Sequence, residues 1–247
     1  MPNVANPIDI LRDLMKKSTM WLAAGAAVLG GILLGKNSSG ASEGPPLDTK
    51  GKGSIPWWTD DDFRAFVAMS QRLRMNPADL LIVLYSESGL RPDARNPRSR
   101  SLPPIAIGLN QIVHSTARSM GMSDAQWNNL LNLSVAYQLP IVERYFNGLQ
   151  WVRAGNTFHS AAQVYLANFA PAKLSLGTDP DIVLYTRGKD GQSYELNKGL
   201  DHGNKGFITL RDMGITVQNN ARAATFLAAL DRLRQVTGDP NLTPKFS

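Results

Sequence analysis

The chain contains no cysteine. This excludes a disulfide framework, a thiolate nucleophile and any cysteine-held metal. Histidine is nearly absent too. The three present, His114, His159 and His202, are far apart and never in HExxH-type spacing, which argues against a zinc centre. No GxSxG elbow, phosphate-binding loop or dinucleotide-binding glycine fingerprint occurs. No segment alternates apolar and polar residues over a strand's length, so the class is mostly α. Charged residues are only 19% of the chain against 43% hydrophobic, which excludes a disordered chain and leaves ample material for a core. The net charge is +6, yet no long Lys/Arg tract is present. The scattered excess favours anionic partners in general and does not indicate nucleic acid specifically.

What the chain does have begins with STMWLAAGAAVLGGILLG, residues 18–35, without a charge. Lys16 and Lys17 precede it and Lys36 follows. A membrane-spanning helix needs roughly 20 apolar residues and tolerates about 17. Ala27, Gly31 and Gly35 recur every four positions, giving one smooth face suited to close helix packing. Residues 18–35 are therefore a candidate transmembrane helix behind an N-terminal tail, 1–17, whose lysines favour the inner side. A signal peptide cleaved after SSGA and a Gly/Ala helix buried in an assembly are the competing readings. KNSSGASEGPPLDTKGKGS, residues 36–54, is a flexible linker by composition. The globular part starts near Ile55.

From there helical punctuation takes over. Thr59 is placed to cap a helix whose first turn holds Asp60, Asp61 and Asp62. Asn76-Pro77 reads as a cap followed by proline at the first helical position, and Gly89 as the stop. The helix between, Pro77–Ser88, is apolar nearly all round and should be buried. A proline-rich loop follows from Leu90 to Ile107. Short helices are expected after Ser115 and Ser123. Longer ones are expected over Ser134–Asn147 (kinked or split by Pro140), Thr157–Asn168 and Val217–Val236. Pro171–Asn204 reads as irregular, and Thr209 as the cap of a short turn.

The apolar helix ends in LYSESGLRPDARNP, where Glu87 shares the face of Val83 and Leu84. Burial disfavours the ionised carboxylate and raises its pKa. An acid so placed stays protonated near neutral pH and can donate to a leaving oxygen. Most glutamates at helix ends are simply solvated, so this feature alone decides nothing.

AIGLNQI begins 19 residues after Glu87, and YLANFAPAKL spans Tyr165 to Leu174. In that order, ESG, GLNQI and YLANFAPA resemble the lytic transglycosylase family, with its soluble-transglycosylase or goose-type lysozyme-like fold. The form YLANFAPA is most similar to the bacteriophage virion branch. The resemblance covers about Pro77 to Leu174. It implies a lysozyme-like helical catalytic domain, 55–174; the length of the remainder, 175–247, suggests a C-terminal helical extension packed on it.

Carried over by position, the resemblance makes Glu87 the catalytic acid and base. Ser88 would lie near the sugar's N-acetyl group, Gln111 would bond the glycan backbone, and Asn168 would bond sugar or orient Glu87. The family's tyrosine before that asparagine is replaced by Ala167; Tyr165, two positions earlier, is the remaining substrate-binding candidate. Lysozymes use two carboxylates. Here the only other acid between Glu87 and Gln111 is Asp93, expected in a turn. The implied route uses one carboxylate and the substrate's own acetamido group, and closes a 1,6-anhydro ring without metal or cofactor. The implied partner is peptidoglycan, cut between N-acetylmuramic acid and N-acetylglucosamine. The implied location is a virion or membrane association, acting on the periplasmic side of the wall. A lysozyme-type hydrolase, a cellular secretion or conjugation enzyme, and an inactive structural virion or ejection protein are the alternatives.

Other features read more plainly. DHGNKGFITLRD, residues 201–212, has the length and glycine of a calcium loop, but Lys205 stands where an oxygen ligand belongs, so a turn without metal is expected. Trp57 and Trp58 are expected to seal the core rather than stack on sugar. His114 should make a helix-start hydrogen bond. Arg91, Arg95, Arg98 and Arg100 either meet the anionic wall or decorate a solvated loop.

Overall fold

The computed structural model describes residues 55–96 and 106–247. The tail 1–17, the hydrophobic segment 18–35, the linker 36–54, and Arg98 and Arg100 lie outside the described residues. Among the described residues no helix is long and apolar enough to cross a membrane.

Local chemistry sets the first two helices. Helix α1, Asp60–Arg72, opens on a capping box: Asp62 N–H donates to the Thr59 hydroxyl, and Thr59 N–H donates to the Asp62 carboxylate at 2.8 Å. Helix α2, Pro77–Ser88, starts where Asn76 Oδ1 accepts from Ala78 N–H at 2.9 Å, and stops at Gly89, whose φ of +65° is left-handed. Leu80 to Leu84 are wholly buried, so α2 is the central helix of the molecule.

Helices α3, His114–Ser119, and α4, Asp124–Asn129, follow, the latter capped by Ser123 and Gln126. A 3-10 turn, Leu130–Asn132, leads into α5, Val135–Gly148. Pro140 does not split α5; it lies exposed on that helix, where one N–H is missing. The short α6, Gln150–Arg153, precedes α7, Ala161–Phe169, which Ser160 caps and which packs directly on α2.

The C-terminal region continues the same core. Helix α8, Gly191–Asn197, is followed by α9, Leu210–Asn220, against α7, and by α10, Ala224–Thr237, against α1 and α2. Tyr194, Met213, Phe226 and Leu233 belong to one apolar cluster with Phe63 and Leu80. The single helix expected over Val217–Val236 is instead two, broken at Ala221–Ala223. The break lets α10 fold back on α1, where Arg232 pairs with Asp60. Thr209 caps all of α9, through a box with Asp212, rather than a short turn.

Two small antiparallel pairs are also present: β1, Ala106–Ile107, with β2, Ile112–Val113, and β3, Val183–Thr186, with β4, Phe207–Thr209. Strands of two to four residues are too short to show alternation, which is why the sequence showed none.

Two devices hold the C-terminal region. Asp201 accepts from the Tyr194 hydroxyl at 2.6 Å and from the N–H groups of Lys205 and Gly206 at 2.9 and 2.7 Å. The Lys205 ammonium donates to both oxygens of buried Asp212 at 2.8 Å. A lysine thus supplies the cation inside the calcium-like loop. Farther on, residues 243–246 form a strap. Lys245 N–H donates to Asp79 of α2 at 2.5 Å, and Lys245 C=O accepts from Ala161 N–H of α7 at 2.6 Å. Gly214 of α9 lets the strap lie flat, since a Cβ there would meet Phe246 O at 2.2 Å.

Candidate active site

Glu87 stands in the last turn of α2, immediately beyond the fully buried run. The residue as a whole is half-buried, so an opening to solvent remains. Protein atoms crowd the carboxyl enough for desolvation to push it up to about 7, while a hydrogen bond with Asn168 pulls the other way. Asp93 is exposed and engaged with Arg91 at 3.0 Å.

Helix α7 brings Asn168 to Glu87, and Asn168 Nδ2 also reaches Asn110 C=O of the GLNQI turn at 3.4 Å. The three segments singled out in the sequence thus converge on one point. Tyr165, on the same helix, is 4% exposed and stacks on Phe169. Burial raises its phenol pKa, and the charge of Glu87 raises it further, so this hydroxyl stays protonated beside the acid.

A second phenol was not anticipated. Tyr145, from α5, is raised by the same two causes in the same order. Its hydroxyl donates to the Ala167 carbonyl at 2.8 Å. The position lacking a family tyrosine is thereby contacted by a tyrosine from another helix. The spacing of Ile141 and Tyr145 on one helical face was readable, but nothing local pointed that face at Glu87.

The GLNQI turn is held from behind by Gln138, also missed. Buried Gln138 Oε1 accepts from Leu109 N–H at 2.8 Å, and its amide donates to Pro92 C=O and Leu130 C=O, both at 2.7 Å. A polar residue on the apolar face with Val135, Leu139 and Val142 was the available signal. Gly108, at φ +78°, is required there, because a Cβ would lie 2.6 Å from Gln138 Oε1.

Gln111 is buried, with its own φ at +45°. Its amide donates to Gly108 C=O at 2.9 Å and to Ala94 C=O at 3.3 Å, stitching the turn to the loop after α2. Both amide hydrogens are used internally, so only Oε1 is left for an incoming hydroxyl. Ser88 is buried beside Glu87, its hydroxyl donating to Leu84 C=O at 2.9 Å and keeping acceptor capacity.

Farther out, Trp58 is buried and donates to Leu90 C=O at 2.8 Å, while Trp57 is half-buried beneath the Arg91 guanidinium. Arg95 is exposed, and its residue bridges Ile107. His114 pairs with Asp124 at 2.9 Å, and its ring lies against Trp127. Among the described residues no group of three or more potential metal ligands gathers.

No curated protein and no solved structure gave a match to this chain. The family comparison, in contrast, meets the site: residues 64–138, holding Glu87, Ser88, Gln111 and Gln138, match the transglycosylase SLT domain.

Proposed function

We propose that this chain is a murein lytic transglycosylase that cleaves the β-1,4 bond between N-acetylmuramic acid and N-acetylglucosamine with Glu87 as its single acid and base. The observation that carries the reading is the setting of Glu87: one shielded carboxyl pushed up to about 7, bonded to Asn168 and flanked by two phenols. Protonated Glu87 donates to the glycosidic oxygen as the C1–O bond breaks. The substrate's acetamido oxygen bonds C1 and holds the developing charge. Glu87, now ionised, takes the proton of the sugar's 6-hydroxyl, and that oxygen displaces the acetamido group to close a 1,6-anhydro ring. Asn168 steadies the carboxylate in the second half, because its amide favours the ionised form.

The form of YLANFAPA supports a virion protein that opens the wall locally during genome delivery, tethered through residues 18–35. The test is mass spectrometry of purified peptidoglycan digested by wild type and by Glu87→Gln. Anhydromuramyl fragments that disappear in the variant support the reading. Reducing-end muramyl products would assign a lysozyme-type hydrolase with a second acid. No release from either digest would favour a structural virion role.

A further inference from the structure

The last turn of α7 carries Asn168, and its ending is not a glycine stop. Ala170 closes the helix at φ −149° and ψ 69°, outside the left-handed region. Its N–H donates to Leu166 C=O at 2.7 Å, and its C=O accepts from Lys173 N–H at 2.8 Å. The chain thus passes directly into a 3-10 turn, Pro171–Leu176. Side-chain packing is left to fix how this junction sits.

Tyr185 of β3 supplies that packing, from outside the segments ESG, GLNQI and YLANFAPA. It is buried, and its ring meets Phe169 edge-on, with centroids 6.2 Å apart and planes at 90°. The Lys173 ammonium lies 4.8 Å from the centroid of the same ring. Phe169 and Lys173 stand on either side of Ala170, so one ring holds the last turn of α7 and the turn after it. Edge-to-face and cation–π contacts each favour a set direction of approach. Burial, and then the charge of Asp190, push the Tyr185 phenol up to about 12, so the ring beside the ammonium stays neutral.

The ring is itself firmly carried. Tyr185 pairs with Ile208 of β4, and the hairpin is tied to α9 where Leu210 N–H donates to Ile182 C=O at 3.1 Å and Arg211 N–H to Pro180 C=O at 2.7 Å. Helix α9 in turn packs on α7.

We infer that Tyr185 is a positioning residue: its ring clamps the junction after α7 and so holds the Asn168 amide on the Glu87 carboxyl. It acts through Phe169 and Lys173. The inference deepens the proposed reaction and rests on it for the loss of activity expected below.

The test uses the full chain. Carbon-13 NMR follows the titration of the Glu87 carboxyl without substrate, assigned with Glu87→Gln. The Asn168 hydrogen bond favours the ionised form, so loosening it raises the midpoint. Tyr185→Leu should raise the midpoint, as Asn168→Ala does, while Tyr185→Phe, which keeps the ring, should leave it in place. Tyr185→Leu combined with Asn168→Ala should go no further than Asn168→Ala alone, because both changes break one contact. On soluble glycan strands Tyr185→Leu should lower kcat roughly tenfold with KM nearly kept, and Tyr185→Phe should restore the rate. Tyr185→Met takes the place of Tyr185→Leu if that variant does not fold. A purely structural role would lower the melting temperature and leave the Glu87 midpoint where it was. An unmoved midpoint in a folded Leu or Met variant, a shift in Tyr185→Phe, or shifts that add in the double variant overturn the inference. The expected midpoints in a chain that releases no fragments would fault the proposed function and leave the clamp standing. Cleavage with an unmoved midpoint would fault the clamp alone.

Discussion

The Tyr145 hydroxyl donates to the Ala167 carbonyl at 2.8 Å, which moors α5 to the helix that carries Asn168. The phenol also lies within the field of Glu87. Tyr145→Phe keeps the ring and deletes both features. It should leave the Ala167 carbonyl unpaired, costing about 1–3 kcal/mol. It should also lower kcat/KM on purified peptidoglycan roughly tenfold to a hundredfold. Thermal melts and turbidity assays read the two effects separately. Full activity in a destabilised variant would assign Tyr145 a mooring role only.

In the proposed reaction Glu87 starts protonated, and burial pushes its carboxyl up to about 7. The rate should fall as pH rises through that value. Asn168 favours the ionised form, so Asn168→Ala should move the alkaline limb to higher pH even as the peak rate drops. A profile whose limb stays in place would detach Asn168 from the acid.

Asp79 carries the opposite message for stability. Burial pushes it up to about 7, against the Lys245 N–H and the charge of Lys245. An unfolded aspartate ionises near 3.8. Below that value both states hold the proton and nothing changes. Between about 4 and 7 the unfolded chain releases it first, so stability falls with rising pH, by on the order of 4 kcal/mol in all. Asparagine keeps the Oδ1 acceptor without the charge. Asp79→Asn should melt above wild type at pH 8 and near it at pH 4, as calorimetry at the two values would reveal. A lower melting point at pH 8 would mean the strap needs the ionised carboxylate.

Gln138→Leu leaves Leu109 N–H without its acceptor and takes the amide donor away from the carbonyls of Pro92, Leu130 and Leu133. A loss of about 2–4 kcal/mol is expected, with weaker hydrogen-exchange protection of the GLNQI turn. Gly108→Ala should destabilise the same turn, because its Cβ collides with the Gln138 amide. Normal protection in both variants would remove Gln138 from the support of the site.

The parts of the fold that were legible were those written locally. Asn76-Pro77, Gly89, the Thr59 cap and Ser123 act on neighbours within a few residues, so the starts of α1, α2 and α4 and the stop of α2 could be read directly. Glu87 and Asn168 were also in view, and the structure brings them together. What depended on how helices cross was hidden. Tyr145 reaches Ala167 across 22 positions, and Gln138 reaches Pro92 across 46. The α9–α10 break was masked by periodicity that runs on through Ala221–Ala223. That the Gln111 amide closes its own turn, at a residue with left-handed backbone, was equally hidden.

The strap at residues 243–246 joins the near ends of the two helices whose far ends present Glu87 and Asn168. A nascent chain translated only as far as Asn168 already contains all five side chains first assigned to the site. It has neither the strap nor α9 beneath α7. The assembled site therefore belongs to a late stage of synthesis, and a fragment released at that point would hold these side chains without the strap and helix that join their scaffolds.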